Sequence, residues 1–170
     1  QHSSATVSGG NSNIASNDYA TVGGGRGNTA SGDSSTVNGG VLNNAVGASA
    51  TVSGGRNNAA TGNFSFIGGG TSNTAGSLYA TVAGGALNDA VGSASFIGGG
   101  FDNLAVGANS TIGGGLNCVT NGDLAVVCGG YYNKASGHFS VVGGGGGFSP
   151  SDSNSAFGNY ALYSNTTGGY

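Results

Sequence analysis

The sequence lacks most of the residues that carry charge and chemistry in proteins. Met, Trp and Glu are absent, Pro occurs once, at Pro150, and only 5% of the 170 residues are charged, against about 25% in a typical domain. No apolar run reaches the roughly 20 residues of a membrane-spanning helix, so we expect no membrane insertion. The net charge of −3 comes without a basic stripe, which argues against nucleic-acid binding.

Groups that could perform catalysis or hold a metal are equally scarce. The two histidines, His2 and His138, have no paired carboxylates or triad spacing around them, as acid–base or acyl-transfer chemistry requires. Neither has a further His or Cys at metal-ligand spacing. The Gly-Gly-Gly runs lack the Lys and the following helix of phosphate-binding loops. We therefore predict no enzymatic activity, no cofactor and no metal.

Glycine is abundant instead, with 39 residues, and it recurs with a fixed period. Units of fifteen residues counted from Ala5 keep the chain in register, and we call positions one to fifteen of a unit its columns. Columns five and six are Gly without a break as far as Gly144 and Gly145. Column three is Val or Ile through Val142, column eleven is mostly Ala, and column thirteen is mostly Gly. Such self-similarity is the signature of a repeat fold.

Fifteen residues are too few for a helical repeat but suffice for one coil of a parallel β-solenoid. We expect corners at the Gly pair and at column thirteen, because glycine tolerates positive φ, with two short strands between them. Coils stacked about 4.8 Å apart predict an all-β, single-domain solenoid of about eleven coils. Residues 1–4 form a leader, 5–154 the regular repeats and 155–170 a variant terminal repeat.

Column nine predicts a ladder of side-chain amides, each bonded to the amide of the next coil. The alternative is a turn role, since Asn tolerates the left-handed conformation. The ladder residues are Asn13, Asn28, Asn43, Asn58, Asn73, Asn88, Asn103 and Asn133. Cys118 replaces the amide in one coil, and Cys128 lies in column four of the next. Both columns flank one Gly corner, so we predict an intrachain disulfide between the two cysteines.

Charged residues avoid one side of the repeat. Every charge in the coils falls in columns seven, eight, ten, thirteen or fourteen, although columns fifteen and two are also expected to point outward. A contiguous uncharged surface along a rod indicates an interface. The residues of this uncharged face are Thr21, Thr36, Thr51, Phe64, Phe66, Tyr79, Thr81, Phe96, Thr111, Leu124, Val126, Phe139 and Val141.

The repeat resembles the head repeats of trimeric autotransporter adhesins of the YadA type, and those of related bacterial and phage fibre proteins. The resemblance rests on units such as Ala20-Thr-Val-Gly-Gly-Gly and Ser65-Phe-Ile-Gly-Gly-Gly, each followed by Asn-x-Ala. The tail Ala161-Leu-Tyr-Ser-Asn-Thr-Thr-Gly is similar to a variant repeat found beside chaperone domains of such fibres. The resemblance implies a left-handed β-roll, usually a homotrimer, that projects from a cell surface and binds host or matrix molecules.

Three functions fit these features. The first is a non-enzymatic extracellular structural or adhesive fibre module that self-associates through the uncharged face. The second is a subunit of a homopolymeric extracellular filament built by end-to-end stacking of coils. The third is an ice-binding protein with a Thr ladder, which Phe66 and Phe96 interrupt. For the first two functions, the expected partner is another copy of the same chain, in a trimer or in a filament.

Overall fold

The computed structural model describes residues 4–146 and the backbone of residues 154–157, and it confirms the predicted β-solenoid. Residues 1–3 of the leader, residues 147–153, and residues 158–170 of the predicted terminal repeat lie outside this described part. Equivalent residues of successive coils pair in parallel, as Val22 pairs with Val37 and Ala30 with Ala45. The solenoid has about nine turns, so the prediction of about eleven was slightly too high.

Each coil contributes one short strand to each of two sheets. The strands of the first sheet are β1 (Thr6–Val7), β3 (Thr21–Val22), β5 (Thr36–Val37), β7 (Thr51–Val52), β9 (Phe66–Ile67), β11 (Thr81–Val82), β13 (Phe96–Ile97), β15 (Thr111–Ile112), β17 (Val126–Val127), β19 (Val141–Gly145) and β20 (Asn154–Phe157). The strands of the second sheet are β2 (Ile14–Ala15), β4 (Thr29–Ala30), β6 (Asn44–Ala45), β8 (Ala59–Ala60), β10 (Thr74–Ala75), β12 (Asp89–Ala90), β14 (Leu104–Ala105), β16 (Val119–Thr120) and β18 (Lys134–Ala135).

The two sheets lie back to back on a thin core of small side chains. Columns one, three, nine and eleven face inward, and from the second coil on their residues are buried. Cα atoms of consecutive strands come within 8 Å of each other, and the Thr120 hydroxyl donates to the Ser110 hydroxyl across the core at 2.9 Å. Val7 is 45% exposed whereas Val22 is fully buried, because only one described coil packs on the first.

Two narrow edges join the broad sides of the roll. Column seven forms a third parallel ladder, which runs from Asn11 to Tyr131. We call columns seven and eight the arginine edge, because they carry Arg26 and Arg56. We call columns thirteen and fourteen the aspartate edge, because column fourteen carries Asp18, Asp33 and Asp123. Columns two and four point outward on the first broad side, and columns ten and twelve on the second.

The glycines at the two corners have different physical roles. Column six adopts positive φ, as at Gly55 with φ +86°, but the column-thirteen glycines do not. There a Cβ would lie only 1.9 Å from the carbonyl oxygen of the next coil, as at Gly62 below Ser77. The expectation of a positive-φ glycine at column thirteen was therefore wrong, because this glycine permits close stacking of backbones. The left-handed residue of that corner is column fifteen, which holds non-glycine residues such as Tyr79, with φ 58°.

The column-nine asparagines form a ladder inside the roll, which Cys118 interrupts between Asn103 and Asn133. The Asn43 Nδ2 donates to Gly39 O in its own coil and to Gly55 O in the next, both at 2.9 Å. The Asn43 Oδ1 accepts the backbone N–H of Asn58 at 3.0 Å. The expected amide-to-amide bond occurs at two steps of the described part, Asn88 to Asn73 and Asn103 to Asn88. Each amide therefore serves mainly to satisfy the backbone of the Gly corner, which a strand ladder leaves unpaired.

The parallel stacking ends after the tenth column-three residue. Strand β19 runs for five residues, Val141–Gly145, and β20 pairs with it in the antiparallel direction, Phe157 opposite Val141. Counting units of fifteen from Ala5 predicts Phe157 in column three of an eleventh coil, parallel to Val142. The antiparallel pairing shows that this placement was wrong. Gly145 keeps the positive φ of the other column-six glycines, at +89°, and its carbonyl accepts Tyr131 N at 2.9 Å as in those coils, so β19 differs from the other strands in its pairing with β20.

Candidate interaction surface

The uncharged face is straight along the whole described rod. Column two pairs in unbroken register from Thr6 through Thr51, Phe66, Thr81 and Phe96 to Val141. Thr6 is exposed, the column-two threonines from Thr21 on are half-buried, and Phe66 and Phe96 are each 39% exposed. A Cβ built on Gly98 would touch Phe96 Cε1 at 3.5 Å, so this ring leans over the glycine beside it. The ring therefore adds apolar area to the face without projecting far above it.

Column fifteen brings its large apolar side chains to one corner of this face. Tyr19, Phe64, Tyr79, Leu124 and Phe139 all have φ between 55° and 59° and exposed fractions between 46% and 65%. From Phe64 on, their N–H groups point to the preceding coil, as Phe64 N donates to Ala48 O at 2.8 Å. Left-handed φ is uncommon for such bulky residues. The coil-to-coil hydrogen bond holds the backbone there and the side chain outward.

The centre of the uncharged face carries an aromatic cluster. The rings of Phe64 and Tyr79, in successive coils, stack with centroids 5.2 Å apart and planes at 19°. Phe66 follows Phe64 by two residues, and Thr51 and Thr81 flank it in register. Offset stacking of this kind is favourable beyond the area buried. The sequence placed these residues on one face, and the structure brings them together.

Charged groups border this face without entering it. The described charges are Arg26, Arg56 and Asp102 on the arginine edge, Asp89 and Lys134 on the second broad side, and Asp18, Asp33 and Asp123 on the aspartate edge. His138 Nδ1 lies 3.6 Å from Asp123 Oδ2, with both side chains largely exposed. Asp152 and His2 lie outside the described residues. The uncharged face is thus framed by a basic edge and an acidic edge.

Both cysteines are free thiols, so the predicted disulfide is not formed in the structure. Cys118 points into the core, with its Sγ 3.5 Å from Gly130 O, whereas Cys128 is exposed in outward-facing column four. Burial raises the pKa of the Cys118 thiol, an effect that backbone hydrogen bonds from Asn133 and with Leu116 oppose. Residues in columns nine and four project to opposite sides of the coil wall, which the count along the sequence did not show.

The second broad side is less uniform in composition than the uncharged face. It carries exposed Val46, Val91 and Val106 in column twelve, and the adjoining arginine edge carries exposed Leu42 and Leu87 at the left-handed column eight. Sequence reasoning missed column eight, because among its described residues only Gly27 is a glycine that marks the positive φ. A shallow notch on this side is lined by Ser72, Thr74, Leu87, Asn88, Asp89, Asp102, Asn103 and Leu104. Burial raises the pKa of Asp89, whose Oδ1 has no hydrogen-bond partner.

No group of three or more His, Cys, Asp or Glu side chains that could hold a metal occurs within residues 4–146. The described residues also contain no helix long and apolar enough to cross a membrane. A scan against protein-family models and a search of curated proteins both find no match for the chain. The resemblance to adhesin head repeats therefore stays a prediction.

Proposed function

We propose that this protein is a non-enzymatic extracellular structural and adhesive rod that self-associates through its uncharged face. The observation that carries the proposal is the unbroken register of column two beside exposed aromatic residues of column fifteen. No charged residue interrupts this surface in the nine described turns. Contiguous apolar surfaces of this kind mark interaction sites. Host or matrix molecules would then bind the surfaces that self-association leaves free.

The dimensions of the face set the expected strength of association. Nine coils at about 4.8 Å make a strip about 43 Å long, and three strand residues with the adjoining corner make it about 13 Å wide. The projected area is about 560 Å², below the roughly 800 Å² per partner of a standard stable interface. We therefore expect reversible, concentration-dependent association, strengthened wherever the edges also meet.

Sedimentation velocity over a wide concentration range tests the proposal, with two matched variants. Thr81→Lys places a charge at the centre of the uncharged face, between Phe66 and Phe96, and is expected to abolish association. Thr74→Lys places the same charge on the second sheet, at a strand position of similar burial, and is expected to leave association intact. A native protein that is monomeric at all concentrations, or two variants that behave alike, would overturn the proposal.

The two alternatives make different predictions. An end-to-end filament gives long particles in electron micrographs, with an axial repeat set by the coil number, and survives Thr81→Lys. An ice-binding protein gives thermal hysteresis. The Thr run of column two lasts four coils, Thr6 to Thr51, before Phe66 interrupts it, which favours self-association over ice binding.

A further inference from the structure

Two asparagine–glycine pairs occur in the sequence, Asn38-Gly39 and Asn121-Gly122. Asparagine is a thermolabile residue, because the backbone nitrogen of the following residue can attack its side-chain amide. A glycine in the following position has no Cβ to obstruct that attack. The two pairs therefore have the same intrinsic reactivity, and their surroundings in the fold decide which of them reacts.

The Asn38 pair lies at the Gly corner of the third coil, on the broad side that carries the uncharged face. Asn38 is exposed in outward-facing column four, between the small residues Gly23 and Ser53 of the neighbouring coils. Gly39 N donates to no acceptor within residues 4–146, and a Cβ at Gly39 would have no atom within 4 Å. Asn38 N and Gly39 O both form hydrogen bonds, so the open nitrogen lies between two fixed points. The attacking nitrogen and its target amide are therefore both accessible.

The Asn121 pair lies at the other corner of a coil, where the backbone is closed. Asn121 is exposed like Asn38, so access to the side chain does not distinguish the two pairs. Gly122 is buried, and its N–H donates to Ala135 O at 3.4 Å. A Cβ at Gly122 would lie 2.1 Å from Gly137 O, so the backbone of the next coil covers this peptide. Attack by the Gly122 nitrogen therefore requires local opening of the solenoid.

We propose that Asn38-Gly39 is a site of spontaneous modification, at which the uncharged side of the rod acquires a negative charge. The nitrogen of Gly39 bonds to Asn38 Cγ, the side-chain nitrogen leaves as ammonia with the proton from Gly39, and a succinimide ring forms. Water then opens the ring at either carbonyl carbon, which leaves residue 38 as aspartate or as isoaspartate. The net change replaces one amide nitrogen by the oxygen of water, so the reaction needs no oxidant or reductant.

Both products change the side of the rod through which self-association is proposed. An aspartate at position 38 adds a negative charge to a chain whose net charge is −3, on the same side as Thr36, two residues earlier. Copies that pack through this side then desolvate that charge or bring like charges together, which weakens association. Isoaspartate also lengthens the main chain by a methylene at the corner, which disturbs the 2.9 Å bond from Asn43 Nδ2 to Gly39 O. The effect on association rests on the proposed function, whereas the modification itself does not.

Peptide mapping by mass spectrometry tests the modification on the full chain, with the Asn121 pair as a native control. After incubation in mildly alkaline buffer, the Asn38 peptide is expected to show the amide-to-acid mass change about tenfold faster than the Asn121 peptide, the factor that corresponds to about 1.4 kcal/mol of local opening. In concentrated urea, which unfolds both corners, the two rates are expected to converge. The proposal fails if, in the folded chain, Asn38 reacts no faster than Asn121 or does not react.

Sedimentation velocity separates the site from its effect on association. Asn38→Asp is expected to weaken association about three- to tenfold, whereas Asn121→Asp, which places the same charge in exposed column twelve of the second broad side, is expected to change it less than about twofold. Asn38→Ser removes the site and keeps the face uncharged, so aged and fresh samples are expected to associate equally. A monomeric native chain refutes self-association and leaves the mass-spectrometric result standing. An Asn38→Asp variant that associates like the native chain refutes the effect of the modification on assembly.

Discussion

Cys118→Asn is expected to stabilise the solenoid, because it repairs the one break in the asparagine ladder. Elsewhere in the ladder the Nδ2 donates twice, to the column-five carbonyl of its own coil and the column-six carbonyl of the next, at 2.7–3.0 Å. The Oδ1 also accepts the next coil's column-nine N–H, as Asn43 does from Asn58. The Cys118 thiol has a single proton to donate, and its Sγ lies 3.5 Å from Gly130 O and 3.8 Å from Leu116 O.

The size of the gain follows from the contacts that are missing. An amide at position 118 would donate to Gly114 O, as Asn103 does to Gly99 O at 3.0 Å, and would give the Asn133 N–H an oxygen in place of sulfur. Two such bonds at about 1 kcal/mol each, with scatter, amount to about 1–3 kcal/mol, or roughly 2–10 °C in Tm. The φ of Gly115 is +107°, against +86° to +96° at the equivalent corners, so this corner is displaced where the amide is lost.

Thermal and urea unfolding of the native chain, Cys118→Asn and Asn73→Cys measure the effect. Asn73→Cys introduces the same break in an intact region and is expected to lower the stability by a similar amount. If Cys118→Asn left the Tm unchanged or lowered it while Asn73→Cys cost nothing, the amide ladder would not support the corners and the reasoning would fail. Circular dichroism in the far ultraviolet confirms that the sheet content is unchanged.

Three further changes test other parts of the structure. Gly62→Ala is expected to lower the free energy of unfolding, measured by chemical denaturation, by about 1–3 kcal/mol, because its Cβ would lie 1.9 Å from Ser77 O. Gly54→Ala is the control: a Cβ there has no atom within 4 Å, and the free energy of unfolding is expected to change by less than about 0.5 kcal/mol. Ser65→Ala is expected to be neutral or stabilising, since the buried Ser65 hydroxyl has no partner, whereas Ser110→Ala removes the acceptor of Thr120 and is expected to destabilise. Burial raises the folded-state pKa of Asp89 above its ordinary 3.8. The stabilisation that comes from a neutral, buried Asp89 carboxyl group is therefore complete below pH 3.8 and is lost as the pH rises through the folded-state pKa. Asp89→Asn is therefore expected to be modestly more stable than the native chain at pH 7 and equal to it at pH 3, as denaturation at both pH values would show; a stability difference that does not depend on pH would contradict this.

Much of the fold could be predicted from the repeat. The fifteen-residue register, the inward Val and Ala columns and the stacking of the column-nine asparagines follow from counting, because successive coils stack equivalent residues on one another. The amide-to-amide bonds predicted for these asparagines occur at two steps only, since most of the amides bond the backbone of the Gly corner. The predicted disulfide was not found, since spacing alone does not say on which side of a coil wall a side chain projects. Column thirteen was assigned the wrong role, because a glycine needed for close approach and a glycine needed for positive φ look identical in sequence.

Composition and periodicity by themselves determined the parallel solenoid and the uncharged face, since both are properties of columns that any stacked coil preserves. Only the tertiary structure decided how the corners are made. It placed Tyr79 and Phe64 at left-handed φ and stacked their rings, and it placed the Arg26 and Asp33 edges on opposite sides of the roll. These features depend on contacts between coils and on the direction of each N–H group, which a one-dimensional repeat does not contain.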